Sequence, residues 1–188
     1  MIKTSVIKEN LTYDGSQLSS LWAFKHCGLQ GDSIVAFRGA CRVKGRSLVD
    51  IADQMAGFFI YSPDMLHFIA EHFDNDLEKA VLRQRLLVTA AKEEFEGKLK
   101  RPLSRRGDDL FAEGRKLSVS IATITPVSTM IHLGINISCE EVPVPAIGLI
   151  DLGLQGTDVF SVAEEILAAY AEEMKGVYLA RCKVRGVT

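Results

Sequence analysis

From Lys116 to Thr125, and again from Ser128 to Ser138, large apolar side chains alternate with small or polar ones, the period of two expected of a half-buried strand. In the first run Leu117, Val119 and Ile121 share one face, and Lys116, Ser118 and Ser120 take the other. In the second, Ile131, Leu133, Ile135 and Ile137 oppose Met130, His132, Gly134 and Asn136. Pro126-Val127 between them predicts a hairpin. Elsewhere the period lengthens. Over Asp76 to Glu96 the residues Leu77, Ala80, Val81, Leu86, Leu87, Ala90, Ala91 and Phe95 fall at helical spacings, with Asp74 and Asn75 as caps and Gly97 as the stop. Ser161-Val162-Ala163-Glu164 has the form of a capping box ahead of Ile166, Leu167, Tyr170 and Met174. Gly176 is expected to close that helix, and Val177 to Val184 to return to the sheet.

The N-terminal half reads as a strand over Lys3 to Lys8, a helix over Ser16 to Cys27 with Leu18, Leu21, Trp22 and Phe24 as its stripe, and a buried strand from Ser33 to Arg38 that stops at Gly39. Phe58 to Tyr61 predicts another strand. Ser62-Pro63 then supplies an N-cap and a proline suited to the first helical position, predicting a helix to about Phe73. On that helix His67 and His72 would point to different sides, which argues against a shared metal. Clustered strands with helices before and after them predict an α+β fold, a mixed and mostly antiparallel sheet covered by helices.

With 188 residues and no repeat or linker, residues 1 to 188 are expected to form a single domain. Apolar residues make up 47% and charged residues 24%, which suits an ordinary globular chain and not a disordered one. The N-terminus lacks the apolar core of a signal peptide and G-L-I-D-L-G-L is too short to span a bilayer, so the expectation is a cytoplasmic protein without a membrane partner. A net charge of -2 argues against a nucleic-acid partner. The four cysteines, Cys27, Cys41, Cys139 and Cys182, form no C-x-x-C pair, and reduced thiols with no metal site are the expectation.

If both apolar faces of the hairpin point into the core, Lys116, Ser118, Ser120, His132 and Asn136 gather on the other side, with Gly134 letting a neighbour approach the backbone. Short donors around one cation leave room for a ligand, and an anionic ligand or a nearby carboxylate would satisfy the lysine. Asp108 and Asp109 stand close enough to share the pocket edge. The competing structural reading is a helix packed over the small residues. A second basic feature, K-L-K-R-P-L-S-R-R over residues 98 to 106, places five positive charges in nine residues.

D-D-L-F-A-E-G-R-K-L-S, followed by I-H-L-G-I-N-I, resembles the N-D-L … G-R-K-(I/L)-(A/S)-G … G-(I/L)-N-(V/I) signature of the biotin protein ligase, lipoate ligase and octanoyltransferase superfamily. Y-D-G-S-Q-L-S-S-L-W and G-D-S-I-V-A-F-R-G resemble that superfamily's first helix and the strand entering its ligand loop, so the likeness covers residues 10 to 138. The whole chain is also similar to a small prokaryotic family, domain of unknown function 366. The superfamily resemblance implies the fold of a biotin/lipoate ligase catalytic core. It implies Lys116 as the lysine holding an acyl carbonyl or carboxylate, Asp109 as the N-D-L aspartate, Arg38, Gly39 and Arg42 at the start of the ligand loop, Gly134 and Asn136 beside the acyl pocket, and His132 where octanoyltransferases have the histidine of an H-G-(L/T) motif. ATP and magnesium, with Asp108 or Asp109 near them, and an acidic carrier protein enter only as what the resemblance implies; the cofactor itself is unknown from sequence. The expected function is a small-carboxylate or acyl pocket serving an acyl ligase or acyltransferase, and the alternative is a non-catalytic binder or sensor. A homodimer is compatible with either.

The departures are specific. Residues 38 to 46, R-G-A-C-R-V-K-G-R, hold fewer glycines than the Gly/Arg run of those enzymes, hence fewer free amides to wrap a phosphate. Val119 stands where a glycine often follows K-x-(A/S). Octanoyltransferases use a cysteine downstream of the L-N-V strand, where this chain has none in I-G-L-I-D-L-G; Cys139, three residues past Asn136, and Cys41, between Arg38 and Arg42, are the candidate nucleophiles in its stead, Cys41 the better of the two.

Overall fold

A computed structural model describes residues 1–139, 145–156 and 158–187. Five strands form the main sheet: β1 (Lys3–Ile7), β2 (Ser33–Lys44), β3 (Phe59–His72), β7 (Ser118–Ile124) and β8 (Thr129–Ser138), in the order β1-β2-β3-β8-β7. Only β1 and β2 pair in parallel; every other junction is antiparallel. A small sheet of β4 (Ser104–Arg106), β5 (Asp109–Ala112) and β6 (Arg115–Lys116) abuts the β7 end. Helices α3 (Leu77–Leu99) and α4 (Val159–Arg181) cover one face, and the short helices α1 (Trp22–Cys27) and α2 (Ile51–Met55) belong to the other. The expected α+β class with a mostly antiparallel, helix-covered sheet is the architecture found.

Two apolar clusters result. Ile34, Ala36, Leu66, Phe68, Leu133 and Ile135 meet Leu87 and Phe95 of α3 and Ile166 and Tyr170 of α4. Across the sheet, Val35, Phe37, Cys41, Met65 and Ile69 pack with Tyr13 and Trp22. The central strands are therefore apolar on both faces, which removes the alternation that a half-solvated strand would show.

The predicted hairpin is present, with Ile121 opposite His132 and Val119 opposite Gly134. Three predictions are corrected. Residues 62–73 are not a helix but most of β3. There Pro63 falls between Ser62, which pairs with Cys41, and Asp64, which pairs with Ser138, where the register shifts; an irregular site of this kind tolerates a residue without an N–H. Residues 177–184 are not a strand, because α4 continues through Gly176 to Arg181. The first helix is only Trp22–Cys27, preceded by turns, and His26 in its last turn holds the Trp22 carbonyl through Nδ1 at 2.9 Å, in keeping with a C-terminal role. Smaller shifts occur at α3, where Asp76 is the N-cap, accepting from the Lys79 N–H, and Lys100 in the left-handed region ends the helix past Gly97.

β2 also runs beyond its predicted end, to Lys44. Segment 11–13 pairs alongside it: Leu11 N–H donates to the Arg38 carbonyl and Tyr13 N–H to that of Ala40, both at 2.9 Å. Gly39 is required by this contact, since a Cβ there would collide with the Leu11 carbonyl. No helix among the described residues is long and apolar enough to cross a membrane.

Candidate functional site

Lys116 is fixed through its backbone from two sides. It pairs with Phe111 of β5, its N–H donates to the Pro145 carbonyl at 3.2 Å, and its own carbonyl accepts from Ile147 N–H at 3.0 Å. The side chain projects into a cavity of about 480 Å³ lined by Phe58, Phe59, Tyr61, Met65, Val119 and Asn136 among others, a size that suits a small-molecule ligand. Lys116 Nζ lies 2.8 Å from Asp109 Oδ2, with both side chains partly exposed. The aspartate supplies the counter-charge that the sequence demanded, and burial pushes its carboxyl above the usual range against the pull of Lys116. One ammonium proton meets Asp109, which leaves two for a ligand.

Asn136 is held in place from behind. Its Oδ1 accepts from Ser62 Oγ at 3.1 Å, and its Nδ2 donates to the Lys116 carbonyl at 3.4 Å. A smaller cavity of about 110 Å³ adjoins, sharing Asp53, Ile60 and Val119 with the first and adding Tyr13, Asp50, Asp108 and His132.

His132 is almost fully buried and makes a chain with His67, also buried: His67 Nδ1 and His132 Nε2 are 3.0 Å apart, and His67 Nε2 is 3.2 Å from the Gly39 carbonyl. Burial pushes both imidazoles down, His67 to about 3, so both are neutral at physiological pH. The Gly39 oxygen can only accept, which fixes the His67 proton on Nε2 and obliges His132 Nε2–H to donate to His67 Nδ1. The lone pair of His132 is then on Nδ1. Tyr13 stacks on the His132 ring with centroids 3.7 Å apart.

Of the predicted site residues, Lys116, Ser118 and Asn136 border the large cavity, and Asp108, Ser120 and His132 the small one. Their faces are not as expected. Leu117 and Ser118 are consecutive yet both buried toward the α3–α4 side, because the chain passes between β6 and β7 at this point. Ser118 still borders the cavity beside Lys116 and Val119, but its hydroxyl and that of Ser120 are taken up by partners within the fold. Ser118 Oγ accepts from Leu110 N–H at 2.8 Å, and Ser120 Oγ accepts from Gln84 at 2.8 Å while donating to the His132 carbonyl at 2.9 Å. Gly134 makes room for the His132 ring and the Met65 methyl and is not on a cavity wall. Asp108 is tied to Arg85 at 2.7 Å and to Gln84 at 3.0 Å.

The expected ligand loop is not where it was placed. Arg38, Gly39, Cys41 and Arg42 lie within β2 and off both cavity walls, since alternate burial of Phe37, Cys41 and Val43 keeps the segment in the sheet. Arg38 is occupied by Asp64 through two hydrogen bonds of 2.9 and 2.6 Å. Cys41 is fully buried, and burial pushes its thiol up to about 12, which removes it as a nucleophile. With the amides of this stretch committed to the sheet, it does not fit a nucleotide phosphate. Among the described residues no group of three or more His, Cys, Asp or Glu side chains is arranged to hold a metal ion.

Sequence reasoning missed Asp53, Phe58, Phe59, Ser62, Met65, His67 and Tyr13. Most lie in or just before β3, and the Ser62-Pro63 helix signal hid them. The period-two run Met65, His67, Ile69 against Leu66, Phe68, Ala70 was the available clue.

A family model described as "Domain of unknown function (DUF366)" matches residues 2–185. An uncharacterised protein of Methanocaldococcus jannaschii is 44% identical over 174 residues, which cover 89% of this chain and 77% of that protein. A solved protein of unknown function from Pyrococcus horikoshi superposes with a TM-score of 0.92 at 41% identity, covering all of both chains. Biotin protein ligase from Aquifex aeolicus in complex with biotin and ATP gives 0.62 at 18% identity, covering 91% of this chain and 70% of that one. A T. acidophilum protein with bound lipoic acid gives 0.61 at 11% identity, covering 92% and 86%. The last two likenesses establish the fold.

Proposed function

The chain belongs to the family described as Domain of unknown function (DUF366), and from that premise we propose that its Lys116 cavity binds a small carboxylate or acyl group for ligation or transfer. The observation that carries the reading is Lys116 itself, a partly buried ammonium paired with Asp109 at 2.8 Å on the wall of a largely apolar cavity. An ammonium so placed donates to an acyl oxygen and stabilises negative charge developing there. Asn136 beside it orients the same group. The similar fold of proteins solved with biotin and with lipoic acid supports an acyl compound in this position.

Transfer from an acyl donor activated elsewhere suits the site better than adenylation, because residues 38–44 remain strand and Arg38 is held by Asp64. The same observation supports the alternative, a non-catalytic binder or sensor on this fold. An acidic carrier protein would meet the basic stretch 98–106, where Lys98 and Arg101 are paired with Glu165 and Glu113 while Arg105 and Arg106 have no carboxylate partner among the described residues.

Native mass spectrometry of the wild type beside Lys116→Ala, with and without added medium-chain acids, tests the reading. The wild type is expected to retain an acid or acyl compound that the variant loses. Turnover of an acyl thioester in the wild type selects the transferase, and binding without turnover selects the sensor. Equal binding, or none, in both proteins overturns the assignment of Lys116.

A further inference from the structure

Two acceptors in the joined cavities are left without a donor. Asp53, on helix α2, lines both cavities, and its carboxylate makes no hydrogen bond or ion pair with any described residue. His132, 3% exposed, presents Nδ1 as its lone-pair nitrogen, also without a partner among the described residues. The other carboxylates here are engaged: Asp108 with Arg85 and Gln84, and Asp50 with the Ala52 and Asp53 N–H groups. Tyr13, stacked on His132, brings a hydroxyl that can serve as donor or acceptor. Asp53 is only partly buried and His132 is buried, and an acceptor without a donor or a carboxylate without a counter-charge on a cavity wall is stabilised by a ligand that supplies one. A group that donates and carries positive charge would satisfy both acceptors.

We propose that the ligand of the Lys116 cavity carries a protonated amine at its far end, seated between Asp53 and His132. The inference rests on the acyl reading of Lys116 and extends it to a ligand with a carbonyl or carboxylate at one end and an ammonium at the other. Its length follows from β8. Asn136 marks the acyl end and His132 the other, four residues apart on one strand, roughly 13 Å at about 3.3 Å per residue. A chain of about eight carbons between the two groups spans that distance. Ile60 and Val119, shared by the two cavities, provide the apolar walls between its ends.

Titration calorimetry with the full chain compares octanoate, 8-aminooctanoate, 8-ureidooctanoate and octylamine. The amino acid is expected to bind at least about tenfold more tightly than octanoate, the effect of one satisfied charge-assisted hydrogen bond. Asp53→Ala, in a five-residue helix that buries no side chain, is expected to reduce the affinity of the amino acid to that of octanoate. An advantage that survives Asp53→Ala overturns the inference, as does octanoate binding equal to that of the amino acid. If Lys116→Ala then weakens both acids alike, the acyl reading stands although the amine does not. Octylamine binding as tightly as the amino acid, with Lys116→Ala without effect, leaves the amine site standing and overturns the acyl reading. A urea head that matches the ammonium reduces the site to neutral N–H recognition and overturns the charged form proposed.

Discussion

His67 and His132 are held neutral by burial, and that choice of protonation state ties stability to pH. In the unfolded chain each imidazole takes up a proton near its ordinary value of about 6.5. In the folded chain neither does until far lower pH, about 3 for His67. Between these limits the unfolded state binds more protons, so stability rises with pH, is fully present above about 6.5, and is lost as pH falls below it. Each histidine contributes a slope of up to about 1.4 kcal/mol per pH unit. Urea unfolding at pH 7, 6 and 5 is expected to show this loss, and a His67→Asn/His132→Asn double variant, less stable at pH 7, to show a shallower decline. An unchanged decline in the double variant would mean that other groups carry the pH dependence. Neither the pair nor its tautomer was legible in the sequence, because the two residues are 65 positions apart and meet only when β3 lies beside β8. Lys116 was legible, as a lone cation in an alternating run. The partners placed on its face were not, since the break at Leu117 moves Ser118 and Ser120 to the helix side.

Among the elements, α4 offers the sharpest test of how local signals compete with packing. Gly176 looked like a stop, yet the helix carries on for five further residues, and a Cβ at 176 would meet nothing within 4 Å. A glycine inside an exposed helical turn costs up to about 1 kcal/mol relative to alanine. Gly176→Ala is therefore expected to raise unfolding free energy by about 0.5–1 kcal/mol in urea titration. Were the helix to end here with a left-handed cap, the same change would destabilise. The β7–β8 hairpin was readable because β8 keeps one face for aliphatic residues that meet α3 and α4, whereas β3 was misread because both its faces are buried. Without solvent on one side there is no polar half to reveal the period, and Ser62-Pro63 was the strongest remaining signal.

For the molecule as a whole, the two sides of the sheet differ in how firmly they are covered. On one side the two 23-residue helices bury aliphatic and aromatic side chains along much of their length. On the other, the cavity is bounded by residues 45–58, where α2 contributes no buried residue and Ile51, Met55 and Phe58 stand exposed, with Phe59 beside them at the start of β3. Local opening costs least where few apolar contacts must be broken. Amide hydrogen exchange is expected to find residues 51–57 unprotected within seconds, while the centres of β2, β3 and β8 exchange at rates approaching global unfolding. Ligand binding should then slow exchange over 51–62, the stretch that contains Asp53, Phe58 and Tyr61 of the cavity wall. Protection of α2 equal to that of β3 in the free protein would show a closed cavity and a ligand route elsewhere. Fast exchange of α2 in the free protein, suppressed by an acyl compound but not in Lys116→Ala, would tie the loosely held cover to occupancy of the lysine and make entry to the cavity a property of this one segment.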